Sequence, residues 1–322
     1  MSTIRFEQVS LQFSGATSPA VDRCTLDVEA GQLIVILGPS GCGKTTLLKM
    51  VNRLYEPTKG TIYLNGTNIQ QLKVTLLRRR IGYVIQQSGL FPHMSVAQNI
   101  AVVPKLLRWS SVKIQARIDE LLTLIGLPPG EYRDRYPAQL SGGQQQRVGL
   151  ARALAGNPAV LLMDEPFGAI DAITRTTLQD EILRLQRQLQ KTILFVSHDV
   201  EEALRLADKI LILNQGQVVQ YDMPFKLLTQ PANDFVRSLV GADDGVRQLS
   251  LLRVEMAMTK MPPTLDSRYP AIAHHENLRQ ALSLILQTGA PQLTVTDSET
   301  PVGIITLEQI RACASMKSDR IH

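Results

Sequence analysis

The sequence predicts an α/β fold, with a mostly parallel sheet followed by a second, smaller domain. Three continuous apolar runs have the length and aliphatic composition of strands buried on both faces, namely Leu33–Leu37, Val160–Met163 and Ile193–Val196. Helical patterns lie between these runs, and strands that alternate with helices indicate a parallel sheet. The length of 322 residues fits two domains.

The first apolar run leads directly into a phosphate-binding pattern. The segment Gly38-Pro39-Ser40-Gly41-Cys42-Gly43-Lys44-Thr45 matches G-x-x-x-x-G-K-[ST], and a helical pattern follows it. Glycines let backbone N–H groups turn toward phosphate oxygens, and the helix adds its positive N-terminal end. We expect this loop and the adjoining Thr46 to bind a nucleotide, with Lys44 at the β- and γ-phosphates and Thr45 as a ligand of Mg²⁺. A bulky reagent on the thiol of Cys42 is expected to block binding.

Two helical patterns follow in the chain. Ile114, Ile118, Leu121 and Ile125 share one helix face, with Ser110 or Ser111 as the N-cap and Gly126 as the end. Leu178, Ile182, Leu185 and Leu189 repeat the same spacing. Both patterns predict amphipathic helices that pack against the core.

The second apolar run ends in two carboxylates, Asp164 and Glu165. Beside a phosphate loop, the first carboxylate is expected to hold Mg²⁺, directly or through water. The second is expected to polarise the water that attacks the γ-phosphate.

A second anion site precedes another helical pattern. Leu140-Ser141-Gly142-Gly143-Gln144 places a serine and two glycines at a predicted helix N-terminus. One ATP needs only one phosphate loop, so the second site needs a separate explanation. In a symmetric dimer, the second site of one chain can close over the ATP bound by the other.

The pattern of alternating apolar runs and helices changes toward the end of the chain. Residues 210–221 read as a hairpin about Gln215 and Gly216, and a break falls at Gly241–Gly245. We therefore predict domains at 1–240 and 241–322. Residues 241–322 carry 8 Lys or Arg and 9 Asp or Glu, so the net charge of +5 divides into +6 on the first domain and −1 on the second.

The cysteine content bears on the cellular compartment. Three cysteines do not form a disulfide framework, which favours a reducing cytosol.

These motifs resemble the nucleotide-binding subunits of ABC transporters over roughly residues 1–240. The resemblance implies a P-loop ABC-type nucleotide-binding domain with a helical subdomain that uses ATP and Mg²⁺. It also implies roles for four more positions: Gln86 at the Mg²⁺, water and membrane-coupling position, Asp171 in the loop linking two sites, His198 at the γ-phosphate, and Phe13 on adenine. The catalytic set is then Glu165, His198 and Gln86, and the metal set is Thr45, Gln86 and Asp164. Ile170 stands where the family more often has Leu.

The segment from Arg78 to Pro104 narrows the resemblance to bacterial importers of quaternary-amine osmoprotectants such as glycine betaine, choline and carnitine. Val84-Ile85-Gln86-Gln87 and Ala101-Val102-Val103-Pro104 carry it. No apolar run is long enough to span a bilayer, so the expected role is an ATPase subunit at the cytoplasmic face of the inner membrane. The expected partners are a second copy, integral membrane permeases and, through them, a periplasmic or lipid-anchored substrate-binding protein, with no nucleic acid. The alternatives are a regulator that dimerises on ATP without transport and a nucleic-acid-linked ABC ATPase.

The smaller domain resembles one cystathionine-β-synthase (CBS) repeat at about residues 271–311. Asn277 to Ile310 reads as helix, strand, turn and strand, which predicts a small α+β half-module. Because one repeat buries little core, we expect it to pair with the repeat of a second chain. Gln309 stands where repeats that bind adenosine ligands often carry Asp, which favours a structural or ionic-strength-sensing role.

Two segments of the sequence each allow two interpretations. Arg78–Arg80 could face lipid headgroups or a partner, although a solvated helix end is the favoured interpretation. Phe91, Pro92 and Met94 could belong to the core, or to the rim of a groove that receives a helix of the membrane subunit.

Overall fold

The computed structural model describes residues 2–86, 89–168, 171–260 and 269–314. Gln87 and Ile170, which the resemblance uses, lie outside these ranges. The chain divides into two compact units, Met1–Tyr221 and Asp222–His322. This division falls before the predicted break at residue 240, because Phe225 already packs against the hydrophobic core of the second unit.

The strands and helices of the described residues are as follows. The strands are β1 Ser2–Leu11, β2 Val21–Glu29, β3 Leu33–Leu37, β4 Lys59–Leu64, β5 Thr67–Asn68, β6 Ile81–Val84, β7 Val160–Asp164, β8 Thr192–Val196, β9 Lys209–Asn214, β10 Gln217–Asp222, β11 Thr259–Lys260, β12 Ala271–Ala273, β13 Gln292–Asp297 and β14 Thr300–Thr306. The helices are α1 Lys44–Val51, α2 Val74–Arg79, α3 Val96–Leu106, α4 Ser111–Leu124, α5 Pro129–Tyr132, α6 Gly142–Leu154, α7 Ala172–Leu189, α8 Val200–Leu206, α9 Pro224–Thr229, α10 Asp234–Val240, α11 Gly245–Leu249, α12 Leu278–Thr288 and α13 Leu307–Ala314.

The main sheet of the first unit has the order β10-β9-β3-β8-β7-β6. Strand β3 pairs in parallel with both β8 and β9, and β7 pairs in parallel with β6 and β8. All three predicted apolar runs are buried strands of this sheet. The predicted hairpin joins β9 to β10, where Gln215 and Gly216 have φ angles of 48° and 79°. Because parallel strands end at the same edge, the segments after β3, β6, β7 and β8 meet there.

A second sheet, with the order β2-β1-β4-β5, is antiparallel and was not predicted. Its buried side chains share one hydrophobic core with α1, including Phe6, Val28, Ile62, Leu47 and Met50. This core supports α1 and hence the loop that precedes it.

Helices α3 to α6 form a helical lobe within the first unit. Ser110, one of the two predicted N-caps of α4, accepts a hydrogen bond from the Lys113 backbone N–H, and Gly126 lies just after the helix with a φ of 68°. At the corner between α3 and α4, the ammonium group of Lys113 lies 4.0 Å from the ring centre of the half-buried Trp109.

The second unit contains a small sheet with the order β11-β14-β13-β12. The predicted helix, strand, turn and strand are confirmed as α12, β13 and β14, with Asn277 as the N-cap of α12 and Gly289 as its left-handed C-cap. The short strands β11 and β12 and helix α13 were not predicted. The buried face of α12, with Leu278, Ala281 and Ile285, packs with Leu293 and Val295 of β13 in one core.

Across the described ranges, no helix is both long and apolar enough to cross a bilayer.

Candidate nucleotide-binding site

The loop between β3 and α1 has a backbone that only glycine tolerates at two points. Gly38 has a φ of 154°, and a Cβ there would lie 2.2 Å from the Leu213 carbonyl oxygen. Gly43 has a φ of 107°, and a Cβ there would lie 2.3 Å from the Ala20 carbonyl oxygen. Both glycines therefore satisfy a steric requirement, and they hold the loop closely against its neighbours.

Lys44, the first residue of α1, is a buried cation within this loop. Its side chain is only 7% exposed, and its ammonium group donates to the carbonyl oxygens of Gly38 at 2.7 Å and Pro39 at 2.9 Å. Among the described residues, no carboxylate forms an ion pair with this buried ammonium, so it is a strong attractor for an anion. The loop thus places a positive charge beside backbone N–H groups at the N-terminus of α1.

Thr45 and Asp164 meet across the sheet edge. The Thr45 hydroxyl donates to Asp164 Oδ1 over 2.8 Å, which joins the start of α1 to the end of β7. Burial, followed by the charge of Asp164, raises the pKa of the neighbouring Tyr83 hydroxyl. The two side chains together offer hydroxyl and carboxylate oxygens, which are the ligands that Mg²⁺ prefers.

Two further predicted residues, His198 and Gln86, converge on one carboxylate oxygen of a third, Glu165. His198 Nδ1 lies 3.2 Å from Glu165 Oε2, and Gln86 Nε2 lies 3.5 Å from the same oxygen. Glu165 follows β7 with a left-handed φ of 46°, and its N–H donates to the carbonyl of Val196 at the end of β8. A cavity of about 20 Å³ beside Glu165 and His198 has room for one water molecule.

The Ser141–Gln144 segment forms the N-terminus of α6, as predicted. Ser141 is the N-cap, and its side chain and that of Gln144 form a reciprocal capping box. Ser141 and Gly142 are exposed, and the Gln144 amide donates to the Tyr132 hydroxyl over 3.2 Å. In the described part of the chain, no hydrogen bond joins this segment to the Gly38–Thr45 loop.

Asp171 lies close to this helix end. It caps α7 by accepting from the Thr174 N–H over 3.0 Å. A Cβ at Gly143 would lie 2.6 Å from Thr174 Cγ2, so the N-termini of α6 and α7 are neighbours. The Ser141–Gln144 segment and Asp171, which are both predicted to act between two ATP sites, therefore lie close together.

Phe13 lies in the connection between β1 and β2, where its ring is exposed and meets Tyr55 edge-on with centroids 5.2 Å apart. The same connection ends at Ala20, whose carbonyl oxygen lies against Gly43. An exposed ring beside the phosphate loop can stack on a planar base.

Cys42 is buried within the phosphate loop. Its side chain is 4% exposed, and burial raises the pKa of its thiol. Both properties slow the reaction of this thiol with alkylating reagents.

A cleft of about 320 Å³ separates the helical lobe from α2 and β6. Phe91 lines it and is exposed, so this residue belongs to the rim of a groove and not to the core. The buried amide of Asn99 fixes the loop that carries Phe91, since it donates to the carbonyl oxygens of Phe91, Met94 and Ser95.

The arginines of α2 have different surroundings. Arg78 donates to the carbonyl oxygens of Asn52 and Arg53 at the end of α1, while Arg79 lines the cleft.

Sequence reasoning missed the residues that hold the His198 turn. Glu202 of α8 is buried, and burial raises the pKa of its carboxyl. It accepts hydrogen bonds from Ser197 and Gln179. The available signal was a charged residue on the buried side of a short amphipathic helix.

Among the described residues, no group of three or more His, Cys, Asp or Glu side chains is arranged to hold a metal ion. Thr45 and Asp164 form a smaller set, of the kind that Mg²⁺ uses together with the oxygens of a bound phosphate.

Comparison with known proteins gives consistent results. Residues 21–168 match the family model described as ABC transporter. The chain is 46% identical to the glycine betaine/carnitine/choline transport ATP-binding protein OpuCA of Bacillus subtilis, over 98% of this chain and 82% of that protein. It is 48% identical to the glycine betaine uptake system ATP-binding protein YehX of Escherichia coli, over 95% and 98%. A dimeric structure of the ATP-binding cassette MJ0796 with ADP and Pi is similar at a TM-score of 0.61, with 31% identity over 69% of this chain and 98% of that one.

Proposed function

The chain belongs to the ABC transporter family, and from this membership we propose that it is the ATP-hydrolysing subunit of a bacterial importer for quaternary-amine osmoprotectants. Its relatives are named for the transport of glycine betaine, carnitine and choline. These names favour transport over an ATP-driven regulator or a nucleic-acid-linked ATPase. The observation that carries the proposal is one sheet edge that holds the Lys44 loop, the Thr45–Asp164 pair and the Glu165–His198 pair.

ATP would bind with its phosphates in the Gly38–Thr46 loop, at the Lys44 ammonium. Thr45 and Asp164, with Gln86 nearby, would hold Mg²⁺, which neutralises phosphate charge when bound. Glu165 would accept a proton from the attacking water, and His198 would orient that carboxylate and contact the γ-phosphate. Phe13 would stack on the adenine.

The active form would be a homodimer. Ser141 and Gly142 are exposed at a helix N-terminus, and within the described residues the Ser141–Gln144 segment has no hydrogen bond to the phosphate loop, so it is free to meet the ATP of a second copy. Asp171, beside it, would carry contact between the two sites. The similar cassette MJ0796 is a dimer.

The partners would be integral membrane permeases at the cytoplasmic face of the inner membrane, with a substrate-binding protein beyond them. The cleft between the helical lobe and α2 has an apolar rim at Phe91 and cations at Arg79 and Arg152, where burial lowers the pKa of Arg152. A groove of this kind suits a short helix with an apolar side and an acidic or carbonyl-rich end.

The second unit would add a dimer contact as one CBS-like half-module. Leu286 of α12 is 69% exposed and Leu307 of α13 is also exposed, which leaves apolar surface for a second copy. Gln309 is engaged internally, because it accepts from the Thr306 N–H and donates to the Thr259 hydroxyl. This arrangement supports a structural or ionic-strength-sensing role over ribose binding.

The test uses Glu165→Gln in the full chain. We expect this variant to retain ATP binding and ATP-driven dimerisation and to lose at least about 100-fold in turnover, as expected for loss of a general base. Exposed Glu201→Gln is the matched control. Hydrolysis by Glu165→Gln at the rate of the unaltered chain would exclude Glu165 as the base, and uptake of labelled betaine, choline and carnitine in a deletion strain tests the substrate class.

A further inference from the structure

One face of α7 contacts the turn that carries His198. Arg175 Nη1 lies 3.7 Å from Asp199 Oδ2, and one turn later Gln179 Nε2 donates to Glu202 Oε1 over 3.1 Å. Asp171, Arg175 and Gln179 are spaced by four residues, so they share this face. The helix thus meets both the turn after β8 and the helix that follows it.

Glu202 is the centre of this contact. Its side chain is buried, one carboxylate oxygen accepts from the Ser197 hydroxyl, and the other accepts from Gln179. The Ser197 oxygen in turn accepts from the Asp199 N–H over 3.0 Å. The residues on both sides of His198 are therefore tied to one buried carboxylate.

The amide of Gln179 is itself oriented. Arg205 Nη1 donates to Gln179 Oε1 over 3.2 Å, so the amide N–H groups point toward Glu202. Arg205 Nη2 pairs with Asp180 over 2.7 Å. A chain of hydrogen bonds thus runs from α7 to Ser197, and a buried carboxylate that is costly to desolvate is fully partnered within it.

The His198 ring has little support of its own. Its side chain is 64% exposed, and its described polar partner is Glu165, at 3.2 Å. The direction in which the ring leaves the sheet edge is consequently set by its backbone. That backbone is held on either side by Ser197 and Asp199.

We propose that Glu202, oriented by Gln179 of α7, is a positioning residue that holds His198 against Glu165. The inference rests on the proposed roles of His198 and Glu165 in ATP hydrolysis. Since Asp171 caps the N-terminus of α7, the same contacts make the placement of His198 depend on the helix that follows the predicted loop between the two ATP sites.

The kinetic experiment uses Glu202→Ala and Ser197→Ala in the full chain, because each breaks the Ser197–Glu202 hydrogen bond. Both should lower kcat by about 10- to 100-fold, the loss typical of a catalytic group misplaced by about 1 Å. KM for ATP should stay nearly unchanged, because the phosphate loop is intact. Ser197→Thr keeps the hydroxyl and should restore kcat, whereas exposed Glu201→Ala is the control for removal of a charge from α8.

A structural readout separates positioning from loss of folding. The chain has five histidines, so selective histidine labelling gives few signals in an NMR spectrum. The ring signals of His198, assigned by their absence in His198→Ala, should shift in Glu202→Ala and Ser197→Ala, while those of His93 and His274 stay in place. Unchanged His198 signals in these variants overturn the proposal. A raised KM for ATP with kcat unchanged also overturns it.

The two proposals fail in different ways. If Glu165→Gln and His198→Ala hydrolyse ATP at the rate of the unaltered chain, the proposed function of the site is wrong. If those two variants lose turnover while Glu202→Ala and Ser197→Ala keep it, only the positioning role of Glu202 is wrong. Should Glu202→Ala lose its fold, Ser197→Ala with its Ser197→Thr rescue decides the question.

Discussion

At Gly43 the backbone and a neighbouring carbonyl both exclude a side chain. We predict that Gly43→Ala lowers ATP affinity by at least about tenfold, because a left-handed residue with a Cβ costs about 1–2 kcal/mol and the new methyl group meets the Ala20 oxygen. Titration with a fluorescent ATP analogue measures the change. Gly66→Ala is the matched control, since Gly66 also has a left-handed φ but has open space around it. Equal affinities for the two variants would contradict the prediction.

The carboxyl of Glu202 should give stability a dependence on pH. Burial raises its pKa in the folded protein above the value of about 4.3 that a glutamate has in an unfolded chain. The folded state therefore binds the proton more tightly. The contribution of this group to the free energy of unfolding is greatest below about pH 4.3 and is lost as the pH rises through the raised pKa.

We predict that Glu202→Gln, which cannot titrate, shows a smaller loss of stability over that pH window than the unaltered chain. Urea unfolding at a series of pH values on both sides of the window measures it, with exposed Glu201→Gln as the control. The same pH slope in all three proteins would show that Glu202 contributes nothing to it.

At the scale of elements, Arg78 of α2 supports the end of α1. Its guanidinium donates to the carbonyl oxygens of Asn52 at 3.1 Å and Arg53 at 2.8 Å, where the helix leaves carbonyl groups without partners. We predict that Arg78→Ala lowers the free energy of unfolding by about 1 kcal/mol, since the side chain is exposed. Chemical denaturation measures it. Exposed Arg80→Ala should change stability much less, and an equal loss for both would argue for a general effect of charge.

The elements that could be predicted are those whose signal is local. The strands β3, β7 and β8 are buried on both faces, so their sequences are continuous aliphatic runs. Strands β1 and β2 escaped prediction because irregular pairing breaks their alternation. The register between them shifts between Phe6 and Val9, and Gln8 and Arg23 have left-handed φ angles.

The same distinction applies to the candidate site. The Gly38–Thr45 loop could be predicted because a phosphate is held by the backbone of one short segment. The residues that hold His198 could not, because Gln179 and Glu202 lie 23 residues apart and meet only after α7 and α8 pack. Phe13 was assigned to the adenine by the resemblance alone, because a single aromatic residue carries no local signal for the connection that exposes its ring.

At the scale of the whole molecule, the two compact units allow a test of the second one. We predict that the chain Met1–Tyr221 carrying Glu165→Gln still binds ATP, but that its ATP-bound dimer dissociates at higher dilution than the full-length Glu165→Gln protein. The reason is the apolar surface of α12 and α13 that the second unit would bury between copies. Sedimentation over a dilution series compares the two proteins. Indistinguishable dissociation constants would show that the second unit adds no contact to the dimer.

The corner between α3 and α4 contains a natural fluorescence probe. Trp109 is the only tryptophan of the sequence, and it is half-buried beneath the ammonium group of Lys113. Emission excited at the red edge of the indole band therefore comes from the helical lobe alone. A rearrangement of this corner that separates the Lys113 cation from the ring should change the emission intensity and the accessibility of the indole to iodide. Stopped flow can therefore time that rearrangement in the unmodified protein.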